Sequence, residues 1–223
     1  MIITIDGPAA AGKGTLASKL ASKYNLTYFD TGMVYRAVGL DVVLQGKDPN
    51  DEQAALSAAQ KLTFPRITEL SKHQDFRSAV GGDAASKVSA IPSVRAALLQ
   101  MQRDFALNPQ FSDGRKASGV VYDGRDAGTV ICPQADVKVF ITASSEVRAM
   151  RRFKEFQQKG LTITYEEVLA QTKERDERDA SRSSAPMKPA DDAVIIDTSD
   201  MSIDEVYEKV CNIVESHQKT LEK

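Results

Sequence analysis

Residues 7–15 read Gly7-Pro8-Ala9-Ala10-Ala11-Gly12-Lys13-Gly14-Thr15, directly after the apolar run Ile2-Ile3-Thr4-Ile5. A strand that empties into a glycine-bearing loop and then a helix lets successive backbone N–H groups curl around an anion. Gly7 and Gly12 permit the curl, Lys13 adds a mobile positive charge, and the N-terminal dipole of the helix favours the same anion. The helix has support of its own, because Leu16, Leu20 and Tyr24 recur at i, i+4 and i+8 with Ala17 and Ala21 beside them. This order predicts a P-loop, committed to gripping a chain of phosphates. The pattern wants Ser or Thr straight after the lysine, with its hydroxyl on a magnesium ion. Here Gly14 takes that place and Thr15 follows, which leaves open whether Thr15 meets the metal directly or through water.

The rest of the chain alternates short apolar strands with helices. Residues 26–29 read as a strand ending at Asp30-Thr31-Gly32, and 32–45 as a helix with Met33, Ala37, Leu40 and Leu44 near one face. Asp51 is a fair N-cap for an alanine-rich helix reaching residue 62. Residues 63–85, punctuated by Pro65, Gly81 and Gly82, give no clear period. Pro92 suits the first turn of a helix to about residue 107, with Val94, Leu98, Met101 and Phe105 inward, and 108–118 is a polar loop. Residues 119–122 and 137–141 are two more strands, followed by a helix over 145–159. Thr164 with Glu167, and Ser202 with Glu205, have the spacing of capping boxes that open two further helices. Between those helices, the polar stretch 183–192 leads to a strand over 193–196. The last helix should bury Val206, Val210 and either Ile213 or Val214, and its final five residues are expected to fray. Five apolar strands separated by helices predict an α/β, P-loop NTPase fold: a five-stranded parallel sheet flanked by helices on both faces.

Ligands of such a sheet sit beyond the carboxyl ends of its strands. Polar residues there should converge: Asp6 and the P-loop, Asp30-Thr31, and Asp123-Gly124-Arg125-Asp126 after Val120-Val121-Tyr122. An acid ending an apolar strand is the expected second half of a P-loop site, holding magnesium or its waters, and Asp123 fits best. A turn-forming Asp-Gly is the alternative for the same residues. Composition narrows the partners. The 223 residues carry a net charge of −2 with both signs spread along the chain, so no basic tract suits nucleic acid. Cys132 and Cys211 are isolated and read as reduced, buried thiols, and two histidines are too few for a zinc site. No Cys or His arrangement suits nucleophilic catalysis. The chain opens without a leader-like segment and has no run able to cross a bilayer, so a cytoplasmic, soluble protein is expected.

A second cluster, Lys173-Glu-Arg-Asp-Glu-Arg-Asp-Ala-Ser-Arg182, places Arg175, Arg178, Asp179 and Arg182 on one helical face. Glu174, Asp176 and Glu177 fall away from it. Such a face can be merely solvated and laced with i,i+4 pairs. Beside a phosphate site that needs more cations than Lys13 supplies, it reads instead as a lid, with Arg151 and Arg152 on the preceding helix adding charge.

The segments 7–15, Asp-Thr-Gly-Met-Val-Tyr-Arg at 30–36, Ala-Ala-Ser-Lys-Val at 84–88 and Pro-Ser-Val-Arg at 92–95 resemble those of the bacterial-type cytidylate kinases. Asp-Gly-Arg-Asp-Ala-Gly-Thr at 123–129 and Lys-Glu-Arg-Asp-Glu-Arg-Asp at 173–179 are the most specific of the set. The resemblance implies a nucleoside monophosphate kinase that moves the γ-phosphoryl group of ATP to CMP or dCMP with magnesium, as a cytoplasmic monomer. It implies a core of 1–30, 118–150 and 190–223, a monophosphate-binding region of 31–117 and a lid of 151–189. Gly7, Pro8, Ala9, Ala10, Ala11, Gly12, Lys13, Gly14 and Thr15 would bind ATP, with Thr15 and Asp123 toward the metal. Arg36, Arg125 and Arg182 would hold the CMP phosphate, with Thr31 and Tyr35 lining the pocket. Ser86, Arg95 and Asp126 would read cytosine, and Arg175 and Asp179 the ribose. Lys13, Arg125, Arg182, Arg151 and Arg152 would act on the travelling phosphoryl group.

The chain departs from the family's pattern at residues 63–83, which are shorter than the usual insert and lack its strand hairpin, at a longer 108–118, and at Ala127, where a larger aliphatic is common. Uridylate and dephospho-coenzyme A kinases, or a nucleotide-binding regulator, are the alternative readings of the loop alone. They are not expected to carry the two arginine–aspartate segments.

Overall fold

In the computed structural model, which describes residues 1–221, β1 (Ile2–Asp6) lies at the centre of a five-stranded sheet. Around it stand β2 (Thr27–Asp30), β3 (Val120–Gly124), β4 (Val137–Thr142) and β5 (Val194–Asp197), in the order β2-β3-β1-β4-β5, all parallel. Parallel strands covered on both faces must be apolar along their whole length. Accordingly Ile3, Ile5, Val120, Val121, Tyr122, Val139 and Ile141 are all fully buried. Pairing sets Asp30 opposite Asp123, and Asp6 opposite Gly124, so the carboxyl ends come level. Because β1 pairs with β3 on one side and β4 on the other, the loop leaving it opens at the point where strand order reverses.

One face of the sheet is covered by α1 (Lys13–Lys23) and α9 (Ile203–Leu221), which bury Leu16, Ala17, Leu20, Val206, Val210 and Val214 against Ile3, Ile5 and Val139. Tyr24, the C-cap of α1, is half-buried and packs against the same core, so it completes the face expected for it. The other face carries α2 (Thr31–Leu44), α3 (Glu52–Gln60) and α6 (Pro92–Leu107) over a core that includes Phe29, Val38, Leu98 and Tyr122. The caps behave as read: Asp51 accepts from the N–H groups of Gln53 and Ala54, and Ser202 and Glu205 bond reciprocally. Thr164 and Glu167 do the same at the start of α8 (Tyr165–Ala180), which pairs with α7 (Ser145–Gln158) as a hairpin. Cys132 and Cys211 are free and buried. No helix among the described residues is long and apolar enough to cross a membrane. Residues 219–221 continue α9, while the last two residues of the expected frayed tail lie outside the described part.

The segment without a readable period is helical. It forms α4 (Phe64–Leu70), a 3₁₀ turn (Gln74–Arg77) and α5 (Ala79–Val88), capped by Thr63 and Ser78. Its glycines punctuate nothing. A Cβ on Gly81 would lie 2.3 Å from the carbonyl oxygen of Asp75, and one on Gly39 of α2 would lie 2.7 Å from the Ala84 backbone. Helix α5 therefore packs backbone-close on α2 and the 3₁₀ turn, offsetting the roughly 1 kcal/mol that glycine costs inside a helix. Phe76, fully buried in the 3₁₀ turn, anchors the arrangement. Phe76→Ala is expected to lower the stability measured by urea unfolding by about 3–5 kcal/mol. A loss below about 1 kcal/mol would contradict this packing.

Candidate active site

The chain leaves β1 through Gly7 at φ +142°, where a Cβ would sit 1.9 Å from the carbonyl oxygen of Ile141 in the neighbouring strand. No side chain fits there. Gly12 (φ +88°) and Ala10 (φ +60°) complete the curl before α1 begins at Lys13. The Lys13 ammonium, 5% exposed, donates to the Pro8 carbonyl at 2.9 Å and lies 3.6 Å from Asp123. Burial, and then the charge of Arg125, push its pKa down to about 8 against the pull of Asp123, Asp30 and Asp6. A Cβ on Gly14 would approach Asp123 Oδ2 to 3.3 Å and the Tyr28 hydroxyl to 3.4 Å, and the hydroxyl residue that follows, Thr15, lines the cavity.

Beyond β2 and β3 the expected acids arrive, with one exception. Asp30 caps α2 by accepting from the Gly32 N–H at 2.9 Å, and burial, then Asp123, raise its pKa. Thr31 donates to the Asp123 carbonyl at 2.8 Å. Asp6 does not line the cavity. It is buried and accepts from the N–H groups of Ala127 and Gly128 at 2.8 and 2.7 Å, anchoring the π-helical turn 127–131. Two backbone donors within reach outcompete an open site, and burial pushes its pKa up to about 6. Among the described residues no three acids, histidines or cysteines group as a metal cage. Thr15, Asp30 and Asp123 do line one cavity, and this sparse set of hard oxygen donors suits magnesium, which takes most of its ligands from phosphates and water.

That cavity, of about 440 Å³, receives eight cationic side chains against five carboxylates. Asp179, 1% exposed, collects three of the arginines: Arg125 Nε at 3.0 Å, Arg175 Nε at 4.0 Å, and Arg182. Burial alone would raise Asp179, but Arg125, Arg182 and Arg175 hold it below the usual carboxylate range. Arg175 is pushed down to about 9 by burial and by Arg125. Arg36 donates to the Phe76 carbonyl at 3.0 Å. At the other end Arg95 pairs with the buried Asp126 at 2.5 Å and lies over the Tyr35 ring, 5.2 Å from its centroid. The Nε atoms of Arg95, Arg175 and Arg182 are buried without a hydrogen-bond partner. Buried donors left open in this way, in a cationic cavity, are complementary to an anion with several oxygens.

Some expected residues stand elsewhere. Ser86 is buried beside a second cavity of about 220 Å³, and its hydroxyl accepts from Arg178 at 2.9 Å. Arg178 shares the arginine face in sequence but pairs with Glu174 and Ser86 outside the main cavity. Arg152 lines the main cavity, whereas Arg151 turns to Thr198 and a third cavity, of about 260 Å³, formed with Ala11, Gly12, Leu16 and Val206. Gly7, Pro8 and Ala11 support the loop without lining the main cavity. Arg77, in the segment without a period, also lines the cavity, and no local pattern marks it. Arg148 was missed too. Buried on α7, it holds Asp176 of α8 through two bonds, at 3.0 and 2.5 Å, and donates to the Ala9 carbonyl at 3.3 Å, so Asp176 is directed to α7. The spacing of Arg148 and Asp176 on two separate helices carries no local signal.

The family model described as cytidylate kinase matches residues 3–216. The chain is 51% identical over 215 residues to the cytidylate kinase of Paramagnetospirillum magneticum, covering 96% of this chain and 98% of that one. It is 49% identical over 221 residues to the cytidylate kinase of Rhodospirillum rubrum, covering 99% and 100%. In fold it is similar to the crystal structure of an uncharacterised protein from Eubacterium ventriosum, with a TM-score of 0.52, 15% identity and 97% and 98% coverage. With its phosphate loop, its paired aspartate–arginine segments and nearly its whole length accounted for, the chain belongs to the cytidylate kinase family.

Proposed function

We propose that this protein transfers the γ-phosphoryl group of ATP to CMP or dCMP. The observation that carries the reading is the meeting, in one cavity, of a phosphate loop, an arginine cluster and the Arg95–Asp126 pair. The loop 7–15 would hold the triphosphate, with Lys13 between donor and acceptor ends. Gly12 borders both the main cavity and the one at Leu16, Arg151 and Val206, which gives the donor's base a place on the far side of the loop. Arg36, Arg125 and Arg182 would take the acceptor phosphate, and Arg175 and Asp179 the sugar. The hairpin of residues 151–189 would act as the lid, and 31–117 as the acceptor region. Thr15 and Asp123, directly or through water, would hold magnesium, which would supply charge neutralisation on the transferring phosphates.

An acceptor phosphate, with its second pKa near ~6, is already ionised at neutral pH, so no general base is required. The barrier is the approach of two multiply charged anions in line. This chain's contribution is to position them and to supply fixed cations around them. Asp126 accepts from the exocyclic amino group of cytosine, whereas uracil offers it a carbonyl, and such a buried mismatch discriminates strongly.

Three measurements test this. In coupled assays kcat/KM for CMP and dCMP is expected to exceed that for UMP by about 10²-fold or more, and equal rates would remove the role of Asp126. Arg125→Ala is expected to lower kcat by about 10²–10³-fold with an unchanged circular dichroism spectrum; a near-normal kcat would exclude Arg125 from the reaction. Lys13 is cationic below its pKa of about 8 and neutral above it. Because the triphosphate binds the cation, kcat/KM for ATP should fall as pH rises past about 8, and a profile flat into the ordinary lysine range would contradict this.

A further inference from the structure

Ser89 closes α5, is 5% exposed, and lines the main cavity. Its hydroxyl donates to the Ser86 carbonyl at 3.0 Å and accepts from Nη2 of Arg182 at 2.9 Å. Its own carbonyl accepts from Nη1 of Arg95 at 3.1 Å. A serine hydroxyl has one proton. With that proton on Ser86, the oxygen meets Arg182 as an acceptor and has no donor left for a substrate phosphate.

The contact belongs to a matched pair. Arg178, one turn before Arg182, donates to the hydroxyl of Ser86, one turn before Ser89. Two arginines at the end of the α7–α8 hairpin thus land on two serines at the end of α5.

We propose that Ser89 is a positioning residue that fastens both ends of the acceptor site: its hydroxyl orients Arg182, and its carbonyl orients Arg95. This rests on the acceptor-phosphate role of Arg182 given above. Besides Ser89, Arg182 is held by Asp179 through the same nitrogen, Nη2. One carboxylate on one nitrogen leaves the guanidinium plane free to turn, and a second acceptor at that nitrogen sets it. Its Nε then stays buried and unpaired, available to a ligand. Arg95 is set in the same manner, by the Ser89 carbonyl on Nη1 and by Asp126 on Nη2.

The two contacts use different parts of the residue, so they separate by mutation. Ser89→Ala deletes the hydroxyl and keeps the carbonyl. Steady-state kinetics are expected to show kcat on CMP reduced about tenfold, while the CMP-to-UMP ratio of kcat/KM stays within about twofold of wild type. In an Arg182→Lys background, Ser89→Ala should remove less than about twofold more, because the partner of the hydroxyl is already lost. Ser89→Gly, which removes the same hydroxyl, should repeat the pattern and serves if the alanine variant does not fold. An unchanged kcat, an equal tenfold loss in the Arg182→Lys background, or collapse of the CMP-to-UMP ratio would each overturn the proposal. Failure of the wild type itself to phosphorylate CMP would count against the assigned reaction instead.

Discussion

Guanidinium groups repel one another, and this protein crowds several of them around one cavity. Two such charges about 5 Å apart cost roughly 3 kcal/mol at an effective dielectric near 20. Asp179 is what makes the crowd tenable, since one buried carboxylate faces Arg125, Arg175 and Arg182 together. The pairing also crosses the molecule. Arg125 follows β3, whereas Asp179 and Arg175 stand on α8, so the same charges that create the cavity dock the hairpin over the sheet. Arg148, bound to Asp176 and to the Ala9 carbonyl, fastens that hairpin to the phosphate loop at a second point.

An assembly held in this way is charged before any ligand arrives. One carboxylate among three arginines leaves net positive charge and unpaired Nε donors. A phosphate can enter without reorganising the cations, which is where electrostatic catalysis gains most of its effect. Neighbouring acids take different roles according to their nearest donors. Asp6 is consumed by two backbone N–H groups, Asp30 caps a helix, and Asp123 alone among them faces Lys13 at 3.6 Å. Asp30 pairs with Asp123 in the sheet, whereas Asp6 pairs with Gly124, so the alternation of the strands sends Asp6 to the opposite face from the other two.

Much of the arrangement was legible in the amino-acid order. The glycine loop, the five apolar strands and the capping pairs at 164–167 and 202–205 depend on contacts within a few residues, and each stands where the local pattern put it, to within a residue or two. Arg36, Arg95, Arg125, Arg175 and Arg182 were named from motif segments, and they share one cavity. Residues 63–85 were not legible because Gly81 and Gly82 look like breaks. Only the close approach of α5 to the 3₁₀ turn shows that the lack of a side chain at Gly81 is a packing requirement, while Gly82 has ordinary contact distances around it.

By itself, then, the sequence determined the order of elements, the phosphate loop and the identity of most cavity residues, since periodicity and motif spacing are short-range properties of a chain. Tertiary structure alone decided which of several similar side chains meet. It turned Arg152 inward and Arg151 outward, set Ser86 and Arg178 beside a separate cavity, buried Arg148, and brought Arg77 and Ser89 to the site. Those outcomes depend on distances between elements far apart in the chain, and no local pattern encodes such distances.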